Sequence, residues 1–110
     1  MSQVKKTRRQ SLEELLSANP EHAFTRYGIA MECITSGEDV IALNHFQQLL
    51  SMHPDYLAAY YQYGQLLKRL GRTAEAFDVF RAGIGLAQKV GNDHAGSELQ
   101  AALDDITPSS

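Results

Sequence analysis

The chain has 110 residues, 44% of them hydrophobic and 21% charged, with 8 glycines, 3 prolines and no tryptophan. This near-average composition excludes wholesale disorder, suits helices better than an all-β fold, and contains no apolar run near the roughly 18 residues of a membrane span. The net charge of −3 hides an asymmetry: Lys5, Lys6, Arg8 and Arg9 fall in the first ten residues, which lack acids, leaving 6 basic against 13 acidic residues in the rest, a net of −7.

Residues 1–10 read as a basic, disordered tail. Because an acidic body repels phosphate, that tail is the one candidate contact with nucleic acid or an anionic membrane. Ser11 and Glu14 have capping-box spacing and predict a helix over 11–18 that stops at Asn19-Pro20. Apolar residues Phe24, Tyr27, Met31 and Ile34 then mark one face of a helix from Glu21 to about Thr35, broken by Ser36-Gly37-Glu38-Asp39. A second run, Val40, Ile41, Leu43, Phe46, Leu49 and Leu50, stops at His53-Pro54.

The pattern then repeats. A helix over 55–70 carries Tyr56, Tyr60, Tyr63, Leu66, Leu67 and Leu70; Gly71-Arg72 breaks it; a helix over 73–90 carries Ala76, Phe77, Phe80 and Ile84. After Gly91-Asn92-Asp93 a last amphipathic segment, about 94–106, uses Leu99, Ala102, Leu103 and Ile106, and residues 107–110 read as a frayed end. Pro20 and Pro54, Ala42 and Ala76, and Phe46 and Phe80 are each 34 apart, whereas the Tyr27-Gly28 and Tyr63-Gly64 pairs are 36 apart, a difference assigned to a shorter Pro20 to Gly28 interval and a longer loop at 35–39. A 34-residue helix-turn-helix period predicts an array in which each hairpin buries its face against the next.

With these residues the chain resembles the tetratricopeptide repeat family. The second repeat, 55–90, matches at Tyr60, Tyr63-Gly64, Leu67, Gly71, Ala76 and Phe80; the first, 21–54, matches at Phe24, Tyr27-Gly28, Met31, Gly37, Ala42, Phe46 and Pro54. The resemblance implies an all-α, right-handed superhelical array of antiparallel helix hairpins over 11–106, closed by capping helices at 11–18 and 94–106. Phe24, Tyr27, Gly28, Ala42, Phe46, Tyr60, Tyr63, Gly64, Ala76 and Phe80 would be its repeat-packing residues. Gly28 and Gly64 cost helix propensity, so close approach of a neighbouring helix is their expected return.

The same resemblance makes the inner face of each first helix a peptide groove. By the family's phase that face carries His22, Thr25, Ile29, Glu32 and Cys33, then Ala58, Tyr61, Gln65, Lys68 and Arg69, with Ser97, Ala101, Asp104 and Asp105 as possible additions from the last helix. The chief candidates are Ile29, Glu32, Tyr61, Gln65, Lys68 and Arg69. Tyr61 and Ile29 would anchor a peptide; Gln65, Lys68 and Arg69 would orient it. Thr25 and Ile29 stand where the family's carboxylate clamp needs Lys and Asn, so that clamp is not expected.

Catalytic and metal chemistry find no constellation. His45 and His53 are eight apart, no HExxH or paired-cysteine pattern occurs, and Gly83-Ile84-Gly85 follows no strand. No metal, no cofactor and no enzyme activity are expected. Lone Cys33 allows no internal disulfide, and no apolar segment follows the basic N-terminus, so a reducing cytoplasmic location is expected. The expected partner is another protein or peptide. The alternatives are a second copy of the chain, forming a homodimer, and a nucleic-acid or lipid contact through residues 1–10.

Overall fold

The structure is a computed structural model that describes residues 6–108. Among these residues there are six helices and no strand: α1 (Arg8–Ala18), α2 (Ala23–Thr35), α3 (Asp39–Met52), α4 (Leu57–Arg69), α5 (Thr73–Val90) and α6 (Asp93–Ile106). The all-α helical array expected from the periodicity is what forms. It divides between Met52 and His53 into two compact units, α1 to α3 and α4 to α6.

In the first unit α1 packs on α2 and α2 on α3. The start of α1 corrects the sequence reading. Thr7, not Ser11, is the N-cap: its side chain accepts from the Gln10 backbone N–H at 3.1 Å, and the Gln10 side chain accepts from the Thr7 N–H at 2.9 Å. Both boxes fit the capping pattern, but the earlier one adds a turn, and that turn brings basic residues to acids. Lys6 pairs with Glu14 at 2.7 Å, Arg8 with Glu32 at 2.8 Å, and Arg9 with both Glu13 and Glu38. The disordered tail assigned to 1–10 is therefore helix from Arg8 onward. The expectation for residues 1–5, Lys5 included, lies outside the described residues.

The turn after each first helix is the same structure twice. Gly37 and Gly71 have φ of 76° and 79°, left-handed values that a side chain would strain. Behind them the Glu38 N–H donates to Cys33 O at 2.8 Å and the Arg72 N–H to Leu67 O at 2.9 Å. These bonds satisfy carbonyls at a helix end and reverse the chain into α3 and α5.

Because α2 and α4 begin at Ala23 and Leu57 and end at Thr35 and Arg69, the repeat is 34 residues throughout and the two-residue offset disappears. The Tyr-Gly pair, which occurs at two different phases of the repeat, produced that offset. Arg26 and Tyr60 are the true equivalents, as are Ile29-Ala30 and Tyr63-Gly64, Cys33 and Leu67, and Tyr27 and Tyr61. Arg26 Nη2 donates to Pro20 O at 3.1 Å and Tyr60 OH donates to Pro54 O at 2.5 Å, so one loop tether is built twice from different side chains.

The packing assignments change accordingly. Phe24 is 64% exposed and no core residue, whereas Ile29, Ala30 and Cys33 are buried. Gly28 faces α1, where an added Cβ would lie 3.3 Å from Leu12 Cδ1. Gly64 faces the Phe80 ring. Ala42, Phe46, Ala76 and Phe80 are fully buried, and Tyr60 nearly so, with Tyr63 half-buried. In the second unit α4 packs on α5, and α6 packs on both. Gly83, inside α5, lets Leu99 of α6 come close.

Candidate functional site

In the second unit the geometry of one α4 face is set by three contacts. Tyr61 is half-buried, its ring 6.5 Å from that of Phe80 at a tilt of 49°. One turn on, Gln65 Nε2 donates to Tyr61 OH at 3.0 Å, which fixes the phenol from its polar end. A further turn on, exposed Lys68 pairs with Asp105 of α6, and that partner holds the Asp105 carboxyl below the usual carboxylate range. Arg69 is exposed beside it at the end of α4, where two cations favour the negative end of the helix dipole. On α6, Ser97, Ala101 and Asp104 are exposed as well, with Gln100 Nε2 donating to Asp104 Oδ1 at 2.9 Å. Tyr61, Gln65, Lys68 and Arg69 thus run along one helix, with α6 alongside.

The residues named for the first helix do not form a matching face. Ile29 is 1% exposed and belongs to the core, Thr25 and Cys33 are buried, and Glu32 is held by Arg8. Burial raises the Cys33 thiol pKa, which opposes a nucleophilic role. The cause is the register error: Tyr27, not Thr25, occupies the position equivalent to Tyr61, and Met31, not Ile29, that of Gln65. The Tyr27 ring meets Phe46 edge-on at 6.4 Å and 68°, where Tyr61 meets Phe80 at a shallower tilt. The signal was present in the sequence as a 34-residue spacing between two tyrosines.

A polar cluster that sequence reading missed lies in the first unit. Arg26 is only 7% exposed, and its Nη1 lies 3.1 Å from His45 Nδ1. Arginine has no acceptor, so Nδ1 accepts and the His45 proton sits on Nε2. Burial, then the Arg26 and Arg9 charges, lower the His45 pKa, with Glu13 opposing. In the unfolded chain His45 returns to its ordinary value near 6.5, so the unfolded state binds more protons at pH values between the folded pKa and that value. Stability is therefore expected to fall as pH drops below about 6.5. Urea melts of His45→Gln, compared with the natural chain from neutral to mildly acidic pH, should show a flatter slope; an unchanged slope would remove His45 from the account.

Among the described residues, no group of three His, Cys, Asp or Glu side chains is placed to hold a metal, and no helix is long and apolar enough to cross a membrane. Gly83-Ile84-Gly85 lies within α5 and is not a phosphate loop.

Similarity to known proteins bears on the whole arrangement. The TPR repeat-containing protein PA0015 of Pseudomonas aeruginosa is 24% identical over 94 residues, covering 86% of this chain and 90% of its own. The solution structure of protein BPP2914 from Bordetella parapertussis has the same fold at 24% identity, a TM-score of 0.79, and 93% and 89% coverage of the two chains. The crystal structure of a tetratricopeptide repeat domain protein from Salinibacter ruber is 38% identical, with a TM-score of 0.74, covering 77% of this chain and 94% of that one. Tetratricopeptide repeat proteins are in general non-catalytic scaffolds that bind other proteins or peptides. The tetratricopeptide repeat family model matches residues 45–78, one 34-residue period running from the second half of α3 through α4 into the start of α5, and with the Salinibacter relative it establishes that the chain belongs to the tetratricopeptide repeat family.

Proposed function

We propose that the chain is a non-catalytic interaction module that takes a peptide or a helix of another protein on the α4 and α6 face of its second unit. The observation that carries this reading is the fixed Tyr61 phenol. Its ring rests on buried Phe80, its hydroxyl is bonded by Gln65, and its remaining surface is accessible. A rigid aromatic loses little conformational entropy on binding, which is why such residues dominate interface energetics. Lys68 and Arg69 on one side, with Asp104 and Asp105 on the other, give the face charges of both signs, suited to setting the direction of a bound segment.

Photocrosslinking tests the reading. A benzophenone amino acid placed at Gln65 should capture a partner in cells, and one placed at Arg81, an exposed position on α5, should not. Capture from Arg81 alone would sink the proposal.

Large apolar side chains left exposed in the first unit, Leu15 at 58%, Phe24 at 64% and Val40 at 70%, favour a second reading, in which one or more of these exposed positions pairs with a second copy of the chain. A crosslinked product of twice the chain mass from a probe at Phe24 would support it, and a strictly monomeric pattern would end it.

A further inference from the structure

We infer that the cleft walled by α1, α2 and α3 in the first unit binds an aliphatic carboxylate through Arg26. The inference is independent of the face proposed on α4 and α6.

Arg26 uses two of its five N–H groups, one toward His45 Nδ1 and one toward Pro20 O, and its buried Nε–H has no partner. Among the described residues no carboxylate bonds it, and burial acts on its pKa with no acid pulling the other way. A buried cation without a counter-ion is a costly arrangement that a bound anion relieves. The tether by itself does not require the charge. Tyr60, 34 residues on, tethers the equivalent loop to Pro54 O with a neutral hydroxyl. The guanidinium therefore supplies something beyond the tether.

Where that charge lies indicates the ligand. Arg26 lines an open cleft of about 480 Å³ shared with His45 and with the aliphatic side chains Leu16, Ile29 and Ile41. With Nδ1 accepting from Arg26, His45 carries its proton on Nε2 and offers a second neutral donor. The other charges on the wall are already matched: Arg9 pairs with Glu13 at 2.8 Å and with Glu38. A carboxylate accepts from the remaining terminal N–H groups of the guanidinium, the buried Nε–H being closed to it, and a short branched hydrocarbon attached to it covers the apolar wall. Two sources share this chemistry, a free short-chain acid and the terminal carboxylate of a chain ending in an aliphatic residue.

The test follows nitrogen and proton NMR signals of the Arg26 Nε–H and the His45 ring during titration with three probes: isovalerate, N-acetyl-alanyl-leucine, and the C-terminal amide of that dipeptide. Saturable shifts from isovalerate with weaker ones from the dipeptide acid assign a free acid; the reverse order assigns a chain terminus; either supports the site. The amide should not bind. Arg26→Tyr, which copies the Tyr60 tether without the charge, should fold and lose at least about tenfold in affinity. The inference is overturned if neither acid gives saturable shifts, if the amide matches its acid, or if folded Arg26→Tyr binds unchanged. Should Arg26→Tyr fail to fold, the acid-to-amide comparison on the natural chain decides alone.

Discussion

Gly64→Ala is expected to destabilise the folded chain by about 1–3 kcal/mol, although alanine is favoured over glycine inside a helix by about 1 kcal/mol. An ideal Cβ at position 64 would lie 2.2 Å from Phe80 Cε1 and 2.6 Å from Cδ1. That ring is 0% exposed and cannot swing aside without disturbing α5. Gly28 provides the control. There a Cβ would meet Leu12 Cδ1 at 3.3 Å, the far end of a flexible and only half-buried side chain, so Gly28→Ala is expected to be neutral or to gain up to about 1 kcal/mol. Urea denaturation of both variants checks the pair; equal effects would contradict the close approach at Gly64.

Phe80→Ala is expected to cost more, about 3–5 kcal/mol, the range for emptying a fully buried aromatic site. It also removes support from Tyr61, whose ring lies 6.5 Å away. The cavity left behind is the space a Cβ at position 64 needs, so the two substitutions are coupled rather than independent. The Gly64→Ala, Phe80→Ala double variant should be less destabilised than the sum of the single changes, by about 0.5–3 kcal/mol in a double-mutant cycle. Strict additivity would mean that the glycine accommodates something other than this ring.

These contacts mark how far the residues alone can be read. Helix type and order were legible because stacked hairpins need a 3.6-residue apolar period and breakers between runs, and both are present around Gly37, Gly71 and Gly91. In the second repeat Tyr60, Gly64, Ala76 and Phe80 lie buried as the spacing implied, whereas Tyr63 is half-buried and Leu70 exposed. The first helix of the first repeat was not legible, because its tether is an arginine where a large apolar or aromatic residue is the rule. A Tyr-Gly pair two residues out of phase then supplied a false match. Tertiary context also decided the start of α1: Thr7 and Ser11 are both competent caps, and only the ion pairs to Glu32 and Glu38 favour the longer helix. The Arg26 and His45 cluster had no sequence signal, since the two are 19 residues apart on different helices.

For the proposed interaction face, the error in register changes which residues stand together. Ile29 and Glu32 leave it; Tyr61, Gln65, Lys68 and Arg69 remain, joined by Asp105 of α6. Tyr61→Ala is a poor probe, since it also strips packing from Phe80. Exchanging the two ends of the ion pair is a cleaner one.

The most direct measurement is the dissociation constant of the partner captured at Gln65 for the natural chain and for the Lys68→Asp, Asp105→Lys double variant. The exchange keeps opposite charges facing each other between α4 and α6 while reversing their order on the surface. If the face works as proposed, the thermal midpoint stays close to that of the natural chain and affinity falls by about tenfold or more, while Arg81→Glu on α5 binds normally. Unchanged affinity in the folded double variant, or a loss confined to Arg81→Glu, would contradict it.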